Sequence, residues 1–231
     1  MKRIAIISIH PGAGQTTLTV NLGSALALKG SRVLVVTVGD NHKLYDYLDA
    51  AARHKSNHDF RDANDPIVKK TWMGMDILGF TPKNNKPAES AWLTSFMVKT
   101  DYEYMLLVPA DKSDCKLLAD FYEHLIVCVD FSSEKEIEAL IALDKEMQQL
   151  PVNNKSVSLI VPNKMNSKEW EHNSHELFAL ADYFGAEKIA DPIPICERVH
   201  DLPKLGITIW QLNRQNLQDA FRRLAAAVEM L

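Results

Sequence analysis

The apolar positions of this chain fall into two rhythms. Short, continuous, β-branched runs alternate with longer stretches in which apolar residues recur every three or four positions. The short runs are Arg3 to Ile9, Arg32 to Val38, Met73 to Phe80, Tyr104 to Pro109, Leu125 to Phe131 and Val157 to Val161. Continuous apolar character predicts strands covered on both faces, as in a parallel sheet. The longer rhythm predicts helices over Gln15–Lys29, Leu44–Arg53, Ala88–Thr100, Leu117–Glu123, Ser132–Leu150, Lys168–Tyr183 and Arg214–Met230. Gly30 reads as a C-cap and Ser133 as an N-cap, and the last helix carries Leu217, Phe221, Leu224 and Val228 at helical spacing. His54–Lys70 and Pro82–Pro87 are polar, turn-rich excursions, and Ile189–Ile193 is a short edge segment. With no internal repeat, this alternation predicts one α/β domain over residues 1–231. Its central sheet is mostly parallel, with helices on both faces.

Where the first run ends, the pattern changes within a few residues. Ile4-Ala5-Ile6-Ile7-Ser8-Ile9 gives way to His10-Pro11-Gly12-Ala13-Gly14, and helical periodicity starts at Gln15-Thr16-Thr17. A strand, a tight glycine turn and a helix N-terminus in direct succession describe a phosphate-type loop. Gly12 and Gly14 let backbone N–H groups converge without Cβ clashes, and the helix adds unpaired N–H groups and the positive end of its dipole. His10, Pro11, Gly12, Ala13, Gly14, Gln15, Thr16 and Thr17 are therefore the candidate nucleotide or anion site. In parallel sheets such sites lie at the carboxyl ends of the strands.

The stretch from Gly14-Gln15-Thr16-Thr17 through Asn21-Leu22 to Val33-Leu34-Val35-Val36 resembles the opening of the ParA/MinD family of deviant Walker A ATPases. That family's loop reads K-G-G-x-G-K-T-T, followed by an Asn-Leu-x-x-x-Leu-Ala helix and a second strand. Ile160-Val161-Pro162-Asn163-Lys164-Met165 resembles the family's Val-x-Asn-Arg/Lys strand end. Ile193-Pro194-Ile195-Cys196-Glu197-Arg198-Val199 is similar to its I-P-x-D-x-x-V segment. The resemblance covers nearly the whole chain and implies a P-loop NTPase-like fold with ATP or ADP and Mg²⁺ as ligands. It implies Thr16 as a Mg²⁺ contact, Asn163 as a reader of adenine and Pro194 as part of the base-side wall. A capping role for Thr16 and a turn-forming role for Asn163 stand beside those readings.

The residues that carry the family's chemistry depart from its pattern. The signature lysine falls on His10, the first glycine on Pro11 and the phosphate-binding lysine on Gln15. The acidic element after the second strand reads Thr37-Val38-Gly39-Asp40-Asn41, which leaves Asp40 as a displaced catalytic candidate. The Walker B aspartate falls on Val108, whose isopropyl group cannot anchor metal-bound water. Losing two charge-assisted lysine contacts costs on the order of 3–6 kcal/mol, or about 10²–10⁴ in triphosphate affinity. Hydrolysis rests on positioning and cationic stabilisation and suffers more. ATP or ADP with Mg²⁺ is expected to bind weakly, and hydrolysis to be absent or slow.

Composition narrows the partners. A net charge of −4 over 231 residues exerts no global pull on nucleic acid or anionic lipid. Arg198, Lys204, Arg214, Arg222 and Arg223 are interspersed with acids, so DNA binding is not expected. Three scattered cysteines, Cys115, Cys128 and Cys196, suit a reducing cytoplasm. Cys115 resembles one cluster ligand of the nitrogenase iron protein, but its partner has no counterpart, so no iron–sulfur cluster is expected. His54 and His58, or His172 and His175, have ligand spacing without an obvious third ligand. No apolar run approaches ~18 residues, and the chain ends within its core-packing helix, so no membrane anchor is expected. Three functions follow. The first is a non-catalytic positioning, partition or assembly factor acting through protein partners, as a homodimer or with a related ATPase. The second is a slow ATPase in partitioning, septum placement or surface-apparatus positioning. The third is another chemistry of the superfamily, such as metallocofactor maturation or ligase-type phosphoryl transfer.

Overall fold

The computed structural model describes residues 1–39, 42–51, 69–71, 73–80, 87–133, 135–151 and 155–231. Its strands are β1 (Lys2–Ser8), β2 (Val33–Val38), β3 (Lys69–Lys70), β4 (Met75–Phe80), β5 (Tyr104–Pro109), β6 (His124–Val129) and β7 (Val157–Pro162). Its α-helices are α1 (Gln15–Leu28), α2 (His42–Ala51), α3 (Pro87–Lys99), α4 (Lys112–Leu117), α5 (Glu136–Gln148), α6 (Trp170–Phe184), α7 (Leu202–Leu205) and α8 (Gln215–Met230). The strands form one sheet in the order β3-β4-β2-β5-β1-β6-β7. All neighbours pair in parallel except β3, a short antiparallel edge on β4. The apolar runs became the parallel strands because each is covered twice: β2 is buried at all of its positions.

Two apolar layers flank the sheet. One holds α1, α2, α7 and α8, with Leu18, Leu22, Leu44, Tyr47, Leu202, Phe221 and Leu224 against Ile4, Ile6, Val35 and Leu106. The other holds α3 to α6, with Leu93, Cys115, Leu140, Leu143 and Leu180 against Ala5, Ile7, Val36 and Val127. Helix α1 is buried from Leu18 to Leu26, its polar Thr19, Asn21 and Ser24 included. Asn21 ties it to the C-terminal region by accepting the Ile209 N–H at 2.9 Å. Helix α8 buries Leu217, Phe221, Leu224 and Val228, the residues that its periodicity singled out.

Several local readings change. Helix α4 ends at Leu117, where the sequence pattern placed a start; it begins at Lys112 because Asp111 caps its N-terminus by accepting the Asp114 N–H, and Leu118 is its C-cap. The apolar residues beyond it, Leu118, Ala119, Phe121 and Tyr122, are buried from turns instead. Ser133 is not the N-cap: α5 begins at Glu136, after Lys135, and among the described residues Ser133 Oγ accepts the Lys135 N–H. Gly30 stands one position beyond the C-cap Lys29, at φ 94°. There it donates to the Ala27 carbonyl while Ser31 donates to that of Leu26, a Schellman ending. Residues 189–193 run beside β7 through single bridges rather than as a strand. The loop over 82–86, most of the 54–70 excursion, the His54/His58 pair and Asp40 lie outside the described residues.

Candidate functional site

The carboxyl ends of β1, β6 and β7 converge on the loop that joins β1 to α1. Gly12 and Gly14 hold φ of 98° and 111°, a region open to glycine at little cost. At Gly14 the choice is also steric, since a Cβ there would lie 2.1 Å from Asn163 Nδ2. Gly14 is the N-cap of α1, and no side chain caps that helix. Its first-turn N–H groups, with Thr16 and Thr17 alongside, are left to the loop, as an anion site requires.

Gln15, which the resemblance sets in the phosphate-lysine position, turns its side chain toward the strands. Its Nε2 donates to the carbonyls of Ile6 at 3.0 Å and Pro109 at 2.9 Å, and Ser8 Oγ donates to its Oε1. An amide NH₂ has two hydrogens, and both are spent stitching β1 to β5. Val108, in the Walker B position, is fully buried in the layer that holds α1. The acids described beyond β5 are Asp111, committed to capping α4, and Asp114. The Asp114 carboxylate lies so close to Gly39, at the end of β2, that a Cβ there would sit 2.4 Å from Oδ2. The described donor set thus fits an anion, whereas Mg²⁺ finds the Thr16 hydroxyl but no carboxylate at position 108.

Asn163, the expected base reader, is also drawn onto the loop. It is buried and donates through Nδ2 to the Ala13 carbonyl at 2.8 Å. Ala13 O in addition accepts the Cys128 thiol, whose pKa burial raises. Pro194 pairs alongside Met165 just past the end of β7. The structure therefore brings Asn163 beside the loop residues, with Pro194 on the neighbouring segment.

A cluster that sequence patterns do not show lies at the loop's outer rim. His10 Nε2 sits 2.9 Å from Asp130 Oδ1, 3.0 Å from Ser132 Oγ and 3.5 Å from Glu136 Oε1, while Nδ1 faces the Pro11 carbonyl at 3.1 Å. Partial burial disfavours the imidazolium, yet the Pro11 carbonyl and the two carboxylates outweigh it and raise the His10 pKa. Burial also works against an ionised Asp130, but the Lys164 ammonium at 2.8 Å and the Ser132 contacts hold its pKa below the usual range. Burial pushes Glu136 upward. Lys164 also donates to the Gly12 carbonyl, so Lys164 and His10 together fasten this loop to the ends of β6 and β7. Phe131 and Lys164 adopt positive φ of 53° and 57°, uncommon outside glycine and typical of over-determined sites. A separation of 120 residues between His10 and Asp130 left no local signal for the pairing.

A mostly parallel, helix-covered sheet with a glycine loop between its first strand and first helix defines a P-loop-type nucleotide-binding scaffold. A family model described as the CobQ/CobB/MinD/ParA nucleotide binding domain matches residues 4–209, and the chain belongs to that family. Among curated proteins, none matches it in sequence. Among solved structures, the MinD cell division protein of Aquifex aeolicus is similar at TM-score 0.76 and 20% identity, over 100% of this chain and 98% of that one. A putative plasmid partition protein of Borrelia burgdorferi B31, bound to AMPPNP, matches at TM-score 0.78 and 14% identity, over 100% and 99%. Cobyrinic acid a,c-diamide synthase of Mycobacterium smegmatis, with bound ADP and magnesium, matches at TM-score 0.69 and 18% identity, over 99% and 94%. No helix among the described residues is long and apolar enough to cross a membrane.

Proposed function

We propose that this chain is a cytoplasmic positioning or partition factor that acts through protein partners and binds nucleotide weakly, with hydrolysis absent or slow. The observation that carries the reading is the Gln15 amide, whose two hydrogens are bonded to Ile6 and Pro109 carbonyls rather than offered to a phosphate. His10 adds to it, since its ring is engaged by Asp130 and Glu136 of its own chain. The glycine loop and open first turn of α1 still suit phosphate oxygens, which supports residual binding of ATP or ADP. Its structural relatives include a MinD seen in complex with MinC, which supports work through a protein partner, with a second copy of this chain or a related ATPase across the loop.

Calorimetry with ATP-Mg²⁺ on the wild type and on Gln15→Lys tests this. A lysine at 15 supplies the missing charge-assisted contact, worth roughly 1.5–3 kcal/mol, so affinity rises about 10- to 100-fold. Equal affinities for the two proteins would show that the loop no longer serves a triphosphate.

A further inference from the structure

The rim cluster is assembled from three parts of the chain and has the makings of a site in its own right. One ligand atom each from His10, Asp130 and Glu136 falls within 4.8 Å of the others. Two ligands about 2.1 Å from one zinc ion, at a tetrahedral angle, stand about 3.4 Å apart. The distances of His10 Nε2 to Asp130 Oδ1 and to Glu136 Oε1, 2.9 and 3.5 Å, bracket that separation. The ring is already oriented, with Nδ1 turned to the Pro11 carbonyl. Metal-binding histidines orient their rings in this way, and an ion at Nε2 takes the place of any proton held there between the ring and the carboxylates. Lys164 engages Oδ2 of Asp130, which leaves Oδ1 facing the ring.

Glu136 supplies an independent pointer. Its side chain is 1% exposed, its Oε1 accepts the Asp130 N–H at 3.1 Å and lies 3.5 Å from His10 Nε2, and its Oε2 has no hydrogen-bond partner among the described residues. An unpaired buried carboxylate oxygen is costly, and a cation is its natural complement.

We propose that His10, Asp130 and Glu136 bind a divalent transition-metal ion of the zinc class, which clamps the glycine loop to the turn between β6 and α5. Imidazole in the donor set selects such ions over Mg²⁺ and Ca²⁺, which take oxygen alone. Ser132 Oγ, 3.0 Å from Nε2, stands beside the remaining coordination position. Its ligands are different residues from Thr16 and Val108, where the family resemblance puts Mg²⁺, and it does not depend on whether ATP is hydrolysed.

Titration of the metal-depleted full chain with Zn²⁺ against a chromophoric chelator tests the site. The wild type is expected to bind with Kd tighter than about 10 µM and to melt at higher temperature with zinc present. His10→Gln and Asp130→Asn should each weaken binding at least about 10-fold and abolish the zinc-dependent rise in Tm. His172→Ala/His175→Ala should leave both unchanged. The His10 side chain is 30% exposed, so its replacement spares the core, and circular dichroism verifies that each variant is folded. Failure of the wild type to take up zinc, or undiminished binding by folded His10→Gln, overturns the proposal. Either outcome leaves the ATP calorimetry above to be judged by itself.

Discussion

Gln15 has two N–H groups to give, and the strands take both. On the proposed reading, the position that would clamp phosphate serves instead as a structural tie between β1 and β5. Around it the loop is braced by Asn163 and Lys164, which donate to the Ala13 and Gly12 carbonyls. The bracing makes the two glycines unequal. Both hold positive φ, but nothing lies within 4 Å of a Cβ at Gly12, whereas one at Gly14 meets Asn163 Nδ2. Gly12→Ala should cost about 1 kcal/mol of backbone strain, and Gly14→Ala clearly more. Thermal melts, at about 2–4 °C per kcal/mol in a chain of this size, should show the larger drop for Gly14→Ala; equal drops would mean that Asn163 does not buttress the loop.

Strands were the most legible elements, because an apolar β-branched run buried on both faces has few alternatives. β5 covers Tyr104–Pro109 as the pattern predicts, β1 is shifted by one residue at both ends, and β2 and β7 differ by one residue at a single end. Helix starts were read less well, since caps depend on one side chain. At α4, the spacing of Leu117, Leu118, Phe121 and Tyr122 imitated a helical face, while the deciding residue was Asp111, upstream of it. Asp111 accepts from Ser113 Oγ and the Asp114 N–H, and these bonds lower its pKa. A carboxylate with a depressed native pKa contributes stability that is present above its unfolded value, near 4, and fades as pH falls through the native one. Asp111→Ala should therefore destabilise by about 1 kcal/mol at neutral pH. Asp111→Asn should keep the cap but flatten that part of the acid limb of the stability profile. Chemical denaturation between pH 3 and 7 measures both, and an unchanged acid limb in Asp111→Asn would rule out the assignment.

At the scale of the molecule, the sheet order places the ends of β1, β6 and β7 side by side, and chemistry separated by more than a hundred positions meets there. The glycine loop, Asn163 and the segment of Pro194 were legible because each occupies a local motif. The His10–Asp130–Glu136 cluster was not, since neither acid stands in a motif and only the parallel pairing of β1 with β6 brings them to the loop. The fold is shared with a MinD, a putative plasmid partition protein and a cobyrinic acid a,c-diamide synthase, while on the proposed reading His10, Gln15 and Val108 set this chain apart from the reactive pattern that the resemblance implies. Steady-state release of phosphate from ATP-Mg²⁺ by the purified chain tests that contrast most directly. The account predicts turnover near the protein-free background; sustained hydrolysis that is saturable at micromolar ATP would contradict it.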